Sequence, residues 1–306
     1  MRVYVHPVLS EQEKSYFVTH ADESLEFIFN NGSSELEQCK DVELAIGNFD
    51  TDWIGQMEHL KTILLDSVGT DNFNGYCWAT DSKITVHNLN DFFSVAVAEE
   101  VVANLLSIYR QLPALKLAQQ QSLWVKDELR PKKRLVSDAK VLLVGYGNIG
   151  RQIEQLLTPF GCHISKFDQK EMRQGGKALL LENVSESDII ISTIPANTET
   201  LRIFDSALFS AMRPAATFLN VGRGQVVDEA ALYVKAVEDL SFNACLDVTT
   251  QEPLLPDSNL WQLTNVHLTQ HTGGGSMDEN YKKIDIYISQ IKRLLSNQSL
   301  NNTIQF

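Results

Sequence analysis

Apolar residues in this 306-residue chain fall into short runs separated by longer polar stretches. In the first third the runs are VYV at 3, LEFIF at 25, VELAI at 42, TILL at 62 and ITVH at 84. Each is of strand size, and the helix-compatible stretches between them predict βαβ units around a parallel sheet. The segment FSVAVAEEVVANLLSIYRQL, 93–112, predicts a helix buried on more than one side, in the core or at a subunit interface. After a polar link at 126–139 a second strand series begins: VLLVG at 141, HISKF at 163, DIIIS at 188, TFLNV at 217, NACLDV at 243 and NVHLT at 265. The last segment, SMDENYKKIDIYISQIKRLL, sets Tyr281, Ile284, Ile288, Ile291 and Leu295 on one helical face. That helix must pack on something, and the first unit is its expected partner.

Two α/β units in series fit a chain of this length. Composition sharpens the picture by exclusion. Hydrophobic residues at 43% and charged residues at 21% describe a folded chain rather than a disordered one. A formal charge of −13 argues against a duplex-binding surface, and the one basic cluster, LRPKKR at 129–134, reads as a solvated connecting loop. Cys39, Cys77, Cys162 and Cys245 are far apart and form no CxxC pair, so neither a disulfide framework nor a metal site is expected. The N-terminus has no signal-peptide core and no run of about 18 apolar residues appears, so we expect a cytoplasmic protein with no membrane partner.

The first candidate chemistry lies in VLLVGYGNIGRQIEQLL, where Gly145, Gly147 and Gly150 form G-x-G-x-x-G directly after a strand. The first glycine permits a tight turn, the second lets backbone approach a pyrophosphate, and the third lets helix pack on strand. The helix buries Ile149, Ile153, Leu156, Leu157 and Phe160 on one side, leaving its N-terminal N–H groups to face an anion. Asp168 lies 18 residues past Gly150 at the end of HISKF, where a carboxylate accepts hydrogen bonds from an adenosine ribose and repels a 2′-phosphate. NAD is the expected cofactor, although Lys166 and Lys170 pull in the opposite direction.

Three more strand ends each carry one unusual residue. Arg223 sits between two glycines after TFLNV, Glu252 follows NACLDV, and His271 comes 19 residues after Glu252. The carboxyl edge of a parallel sheet is where open α/β folds bind ligands, so these side chains are expected to converge there. Reduction of a ketone by hydride needs a positioned acid, and histidine has the unperturbed pKa nearest neutrality. The arginine fork suits a carboxylate with its adjacent carbonyl.

With SVGTDN, VAEEVVANLL, VGYGNIG, NVGRGQVVDEAAL, LDVTTQEPL and NVHLTQHTGG in this order, the chain resembles the D-isomer-specific 2-hydroxyacid dehydrogenases from about residue 62 onward. The resemblance implies that Arg223 binds and polarises a 2-keto acid, that Glu252 orients His271, and that His271 carries the proton. It assigns the substrate carboxylate to the backbone of Val68 and Gly69. It assigns the pyrophosphate to Asn148 and Ile149, the nicotinamide carboxamide to Asp247, and the cofactor lining to Ile194, Pro195, Thr200, Val221, Gly222 and Gly273. By resemblance the small substrate is a 2-keto or 2-hydroxy acid and the protein a homodimer supported by the helix after Phe93.

The sequence departs from the family at Gln270, where a proline usually precedes the histidine, and at Asn74, where aspartate is common. Leu65 falls near the phosphate-binding arginine of phosphoglycerate dehydrogenases, which favours a non-phosphorylated substrate. Formate dehydrogenases pair their histidine with glutamine, so Glu252 favours hydroxyacid chemistry. The expected architecture is two Rossmann-like, doubly wound domains with a cleft between them. Residues 93–275 form the NAD domain, and residues 1–92 with 276–306 form a flavodoxin-like substrate domain, with hinges near 90 and 274. A nicotinamide-sensing protein, resembling corepressors that retain the same residues, is the alternative to an enzyme.

Overall fold

The computed structural model describes residues 1–32, 36–73, 75–79 and 82–304. The chain divides into two compact units, one of Met1–Phe93 with Ser276–Phe306 and one of Ser94–Gly275. The first opens with β1 (Arg2–Val5), α1 (Glu11–His20), β2 (Glu26–Phe29), β3 (Leu44–Ile46), β4 (Thr62–Leu64) and β5 (Thr85–His87). The second runs through α2 (Ser94–Tyr109), α3 (Leu112–Gln120), α4 (Lys126–Leu129), β6 (Lys140–Val144), α5 (Asn148–Leu157), β7 (His163–Phe167) and α6 (Gln169–Glu186). It continues with β8 (Ile189–Ser192), α7 (Ser206–Ala211), β9 (Thr217–Asn220), α8 (Glu229–Glu238), β10 (Asn243–Leu246) and β11 (Val266–Leu268). The chain then returns to the first unit with α9 (Glu279–Leu295) and β12 (Thr303–Ile304).

In the first unit the sheet order is β12-β5-β4-β3-β1-β2, parallel except for the antiparallel β12. Alternate strand residues supply its two faces, as the two-residue period of a strand dictates. Val3, Val5, Leu44, Ile46 and Leu64 pack under Phe17 of α1 and Ile284, Tyr287, Ile288 and Ile291 of α9. Tyr4, Ala45, Ile63 and Val86 face the opposite cluster with Phe49, Ile54, Met57 and Leu60. That second face departs from the expected run of α-helices. Among the described residues it is covered by 3-10 turns at Leu36–Gln38, Thr51–Gln56 and Asp71–Phe73. Of the residues facing that cluster, Ile54 lies in the Thr51–Gln56 turn, and Met57 and Leu60 follow it in irregular chain. By contrast α1 is locally specified: Ser10 Oγ accepts from the Glu13 N–H at 3.3 Å, and Glu13 Oε2 accepts from the Ser10 N–H at 2.7 Å.

The second unit has the all-parallel order β11-β10-β9-β8-β6-β7. Its inner strands KVLLV, IIIS and TFLN are almost wholly buried, which only a sheet covered on both faces requires. One cover is the cluster of Phe204, Leu208, Phe209, Phe242 and Leu180 around Phe218, and α2 packs along α5.

Several sequence expectations are corrected in detail. The single helix expected over 93–112 ends at Tyr109, and α3 starts anew at Leu112 after Gln111 takes φ 58°. Pro113 explains the break, because it lacks the N–H that a continuing helix would bond back to Tyr109. LRPKKR is solvated only in part: Arg130, Pro131 and Lys132 are exposed, whereas Lys133 and Arg134 are held against the end of α2. Lys133 Nζ donates to the Arg110 carbonyl at 2.8 Å, the Arg134 N–H donates to the Tyr109 carbonyl at 2.8 Å, and its guanidinium lies 4.3 Å from the Tyr109 ring centroid. The Lys133 ammonium and the Arg134 backbone N–H thereby satisfy open carbonyls at the end of α2. Phe160 and Leu295, expected on buried faces, are exposed because each lies at or past its helix end, whereas Tyr287 is buried.

Cys39, Cys77, Cys162 and Cys245 are free thiols. Burial pushes the Cys39 thiol up to about 11 and the Cys245 thiol up to about 12, so neither is a nucleophile at neutral pH. Among the described residues no helix is long and apolar enough to cross a membrane.

Phe218 is fully buried, with ring centroids 4.8 Å from Phe204 and 5.5 Å from Phe209. We expect Phe218→Ala to lower stability by about 3–5 kcal/mol in urea unfolding. A loss below about 1 kcal/mol would contradict this packing.

Candidate active site

Because β6 to β11 all run parallel, their carboxyl ends lie along one edge, and every second-unit residue singled out in the sequence follows one of them. The β6, β7 and β8 exits carry Gly145, Asp168 and Ile194, while the β9, β10 and β11 exits carry Arg223, Glu252 and His271.

At the β6 exit Gly145 has φ +95°, and a Cβ there would lie 2.6 Å from Thr193 Oγ1. A Cβ at Gly150 would lie 2.5 Å from the Gly145 carbonyl, which is the close helix-to-turn approach the motif requires. At Gly147 a Cβ would meet nothing within 4 Å, so open space stands directly against the backbone where α5 begins. A cavity of about 750 Å3 lies here, lined among others by Gly145, Gly147, Asp168, Ile194, Pro195 and Thr200. Thr200 Oγ1 donates to the Pro195 carbonyl at 2.7 Å and accepts from the Asn197 N–H at 2.8 Å, so this wall is tied to itself. Asp168 is half-buried before α6, and its N–H donates to Glu171 Oε2 at 3.0 Å. A vacant step beside a helix start, a ribose-height carboxylate and a cavity of this size fit a dinucleotide. Asn148, Ile149, Gly150, Val221, Gly222, Asp247 and Gly273 do not line this cavity. The sequence reading missed Tyr146, Arg151, Met172 and Arg173, which do. The first two could have been found from their place inside and just after the glycine motif.

At the other half of the edge, His271 and Glu252 meet as expected: Nδ1 lies 2.7 Å from Oε2. An ionised carboxylate only accepts, so Nδ1 carries the hydrogen and Nε2 is left to face a substrate. The second oxygen of Glu252 accepts from the Thr249 N–H at 2.9 Å, which fixes the carboxylate plane. The histidine backbone is fixed by a different carboxylate. Asp247 is 5% exposed, and its Oδ1 accepts from Thr269 Oγ1 at 2.8 Å, the Thr272 N–H at 3.0 Å and the Gly273 N–H at 3.2 Å. Its carbonyl accepts from the His271 N–H at 2.5 Å. Gln270 and His271 both lie in the left-handed region at φ 56°. A proline at 270, with φ near −65°, has no place in this loop, so the departure from the family pattern is a conformational one.

Arg223 starts a 3-10 turn after β9 and is half-buried, with Nη1 donating to the Gly222 carbonyl at 2.8 Å. Gly224 beside it allows the loop to pass hard against the β10 exit, since a Cβ there would lie 1.9 Å from the Thr249 carbonyl carbon.

Val68 and Gly69 belong to the first unit, in the loop leaving β4. The carbonyls of Ser67, Val68 and Gly69 accept from the Leu89 N–H at 3.0 Å, Asn88 Nδ2 at 2.7 Å and Ser67 Oγ at 2.7 Å. Among the described residues the N–H groups of Val68 and Gly69 have no acceptor, so the loop presents donors, the arrangement an anion needs. Asn88 is a further residue the sequence reading missed, and no short motif marks it. Leu65 is a buried core residue. Asn74 lies outside the described residues.

The left-handed backbone at 270 is open to test. We expect Gln270→Pro to lower stability by more than about 1 kcal/mol in thermal unfolding, with Gln270→Gly tolerated. A proline variant as stable as the parent would show that the loop is not held in this conformation.

The model of the D-isomer specific 2-hydroxyacid dehydrogenase NAD-binding domain matches residues 102–273. D-3-phosphoglycerate dehydrogenase of Methanocaldococcus jannaschii is 29% identical over 280 residues, covering 88% of this chain but 53% of its own length. The chain therefore spans about half of that relative. Hydroxyphenylpyruvate reductase of Plectranthus scutellarioides is 25% identical over 86% of this chain and 85% of its own length. In fold, a D-isomer specific 2-hydroxyacid dehydrogenase family protein from Aeromonas salmonicida superposes with a TM-score of 0.84 at 22% identity, covering 99% of both chains. With its NAD-binding domain matched over more than half its length and both parallel sheets reproduced, this chain belongs to the D-isomer specific 2-hydroxyacid dehydrogenase family.

Proposed function

We propose that the protein is an NAD-dependent oxidoreductase that interconverts a small 2-keto acid and its D-2-hydroxy acid, with His271 as proton carrier. The observation that carries this reading is the 2.7 Å contact between His271 Nδ1 and Glu252 Oε2, with Glu252 itself fixed by the Thr249 N–H. The nicotinamide, when bound, supplies or receives the hydride. The chain's own residues manage the charge that results. Arg223 binds the carboxylate and polarises the neighbouring carbonyl with its planar fork. The N–H groups of Val68 and Gly69 receive the carboxylate as well. As the ketone oxygen gains negative charge, His271 Nε2–H gives it a proton, and Glu252 holds the ring through the change. In the oxidation direction the same nitrogen takes the proton from the hydroxyl.

Gly145, Gly147, Asn148, Ile149 and Gly150 would hold the pyrophosphate, Asp168 the adenosine ribose and Asp247 the carboxamide, with Ile194, Pro195, Thr200, Val221, Gly222 and Gly273 around the ring system. A homodimer belongs to this reading. The exposed Leu112, Leu117, Leu123 and Trp124 on and after α3 support a contact with a second copy. The free cysteines fit a reducing compartment such as the cytoplasm.

The direct test is NADH oxidation against pyruvate, glyoxylate, hydroxypyruvate, 2-ketoisocaproate and phenylpyruvate. We expect saturable turnover on at least one, and His271→Ala should lower kcat about 10²–10⁴-fold while NADH still binds. Tight NADH binding without reduction of any panel member would favour a nicotinamide-sensing protein or a substrate outside the panel, and near-normal turnover by His271→Ala would remove that residue from its role. For the cofactor, we expect Asp168→Ala to weaken NADH relative to NADPH in a fluorescence titration. An unchanged ratio would show that Asp168 does not face the ribose.

A further inference from the structure

Lys166 lies in β7, and Asp168, two residues on, follows the strand end with its backbone still extended, so the two fall on the same side of the chain. A cation beside the ribose site is what a 2′-phosphate needs, since lysine binds phosphate as a point charge. Here that cation is engaged elsewhere. Lys166 Nζ lies 2.7 Å from Glu154 Oε1, donates to the Tyr146 hydroxyl at 3.0 Å and sits 4.1 Å from the Tyr146 ring centroid. The Tyr146 hydroxyl in turn donates to Glu154 Oε2, closing a three-residue cluster. The Glu154 partner holds the Lys166 ammonium above its ordinary range, and Lys166 holds the Glu154 carboxyl below its own.

The cluster joins three elements that matter to the phosphate loop. Tyr146 lies between Gly145 and Gly147, Glu154 is on α5, and Lys166 is on the strand that delivers Asp168. Tyr146 and Asp168 line the cavity of about 750 Å3, whereas Lys166 and Glu154 do not. Among the neighbouring cations, Arg151 donates to Asn148 Oδ1 at 2.6 Å and to the Tyr146 carbonyl at 3.2 Å, and Arg173 donates to Gln169 Oε1 at 3.3 Å. Lys170 is exposed in the first turn of α6.

We propose that Glu154 is a specificity-determining residue: by holding Lys166 against Tyr146 it withholds a positive charge from the ribose site and so disfavours NADPH. The inference rests on reading residues 145–168 as the dinucleotide site. Its physical content is charge cancellation. With Glu154 in place, the lysine adds almost nothing to the field beside Asp168. Without it, a flexible ammonium on a four-carbon stem is released next to the position a 2′-phosphate would take.

The test is a fluorescence titration of the full chain with NADH and with NADPH at low ionic strength, reading the ratio of the two Kd values. We expect Glu154→Ala to shift the ratio toward NADPH by about fivefold, the size of one exposed charge pair, and Glu154→Gln to shift it in the same direction. Lys166→Met alone leaves the Glu154 charge uncompensated and should not shift the ratio toward NADPH, whereas Glu154→Ala with Lys166→Met removes both charges and should return it to the parent value. Arg151, Arg173 and Lys170 are common to all variants and cancel in the comparison. A ratio that does not move in Glu154→Ala, or that moves equally in the double variant, overturns the proposal. Failure of the parent to bind either nucleotide overturns the cofactor reading, and the proposal with it.

Discussion

The edge of the second sheet that carries His271 depends on one buried carboxylate. Asp247 is removed from water at the β10 exit, and a buried carboxylate must be surrounded by donors or be very costly. Thr269, Thr272 and Gly273 supply those donors, and in doing so they wrap the chain around the residue between them. The Asp247 carbonyl then takes the His271 N–H. Five residues downstream the same exit supplies Glu252, which takes the ring. One strand exit therefore holds both the backbone and the side chain of a histidine that arrives from the next strand. Two torsional freedoms of His271, its loop and its χ angles, are removed by two different carboxylates.

The neighbouring exits are bound to one another in the same way. A Cβ on Gly222 would lie 2.4 Å from the Ile194 carbonyl, so the β8 and β9 exits touch backbone to backbone. Gly224 and Thr249 repeat that contact between β9 and β10, whereas between β10 and β11 Gly273 lies against the Asp247 side chain, where a Cβ would be 2.9 Å from Oδ2. The edge from Ile194 to the histidine is a row of close approaches made through glycines. A side chain added at any of these glycines would push one exit away from the next. This explains why an arginine can be set on a loop and still be aimed: Arg223 lies between two residues that have no room to move.

Much of this was legible in the sequence because period and punctuation carried it. Strand-sized apolar runs, the glycine motif and the acidic residue 18 positions beyond it located the second sheet and the cavity beside the start of α5. That Glu252 and His271 come to one edge followed from strand order, while their pairing came from the family resemblance. What could not be read was long-range. The 3-10 cover over one face of the first sheet is decided by packing, not by propensity. The basic run at 129–134 looked solvated because nothing local shows that Tyr109 and Arg110 carbonyls lie beside it. Gln270 was legible as a departure, but its left-handed conformation depends on Asp247, 23 positions earlier in the chain. Asn88, which holds the Val68 carbonyl, belongs to no motif at all.

The first unit is assembled from two separated stretches of chain, with Ile284, Tyr287, Ile288 and Ile291 of α9 closing a face formed by Val3, Val5, Leu44, Ile46 and Leu64. During synthesis those strand residues leave the ribosome early, and their cover arrives only after the whole of Ser94–Gly275 has been made. The contiguous second unit is free to collapse on its own during that interval, while the first waits with an apolar sheet face open to water. Nascent chains of this protein thus pass through a stage in which one half is complete and the other is sticky. A chain stopped before Ser276 would leave the face of Val3, Val5, Leu44, Ile46 and Leu64 without its α9 cover.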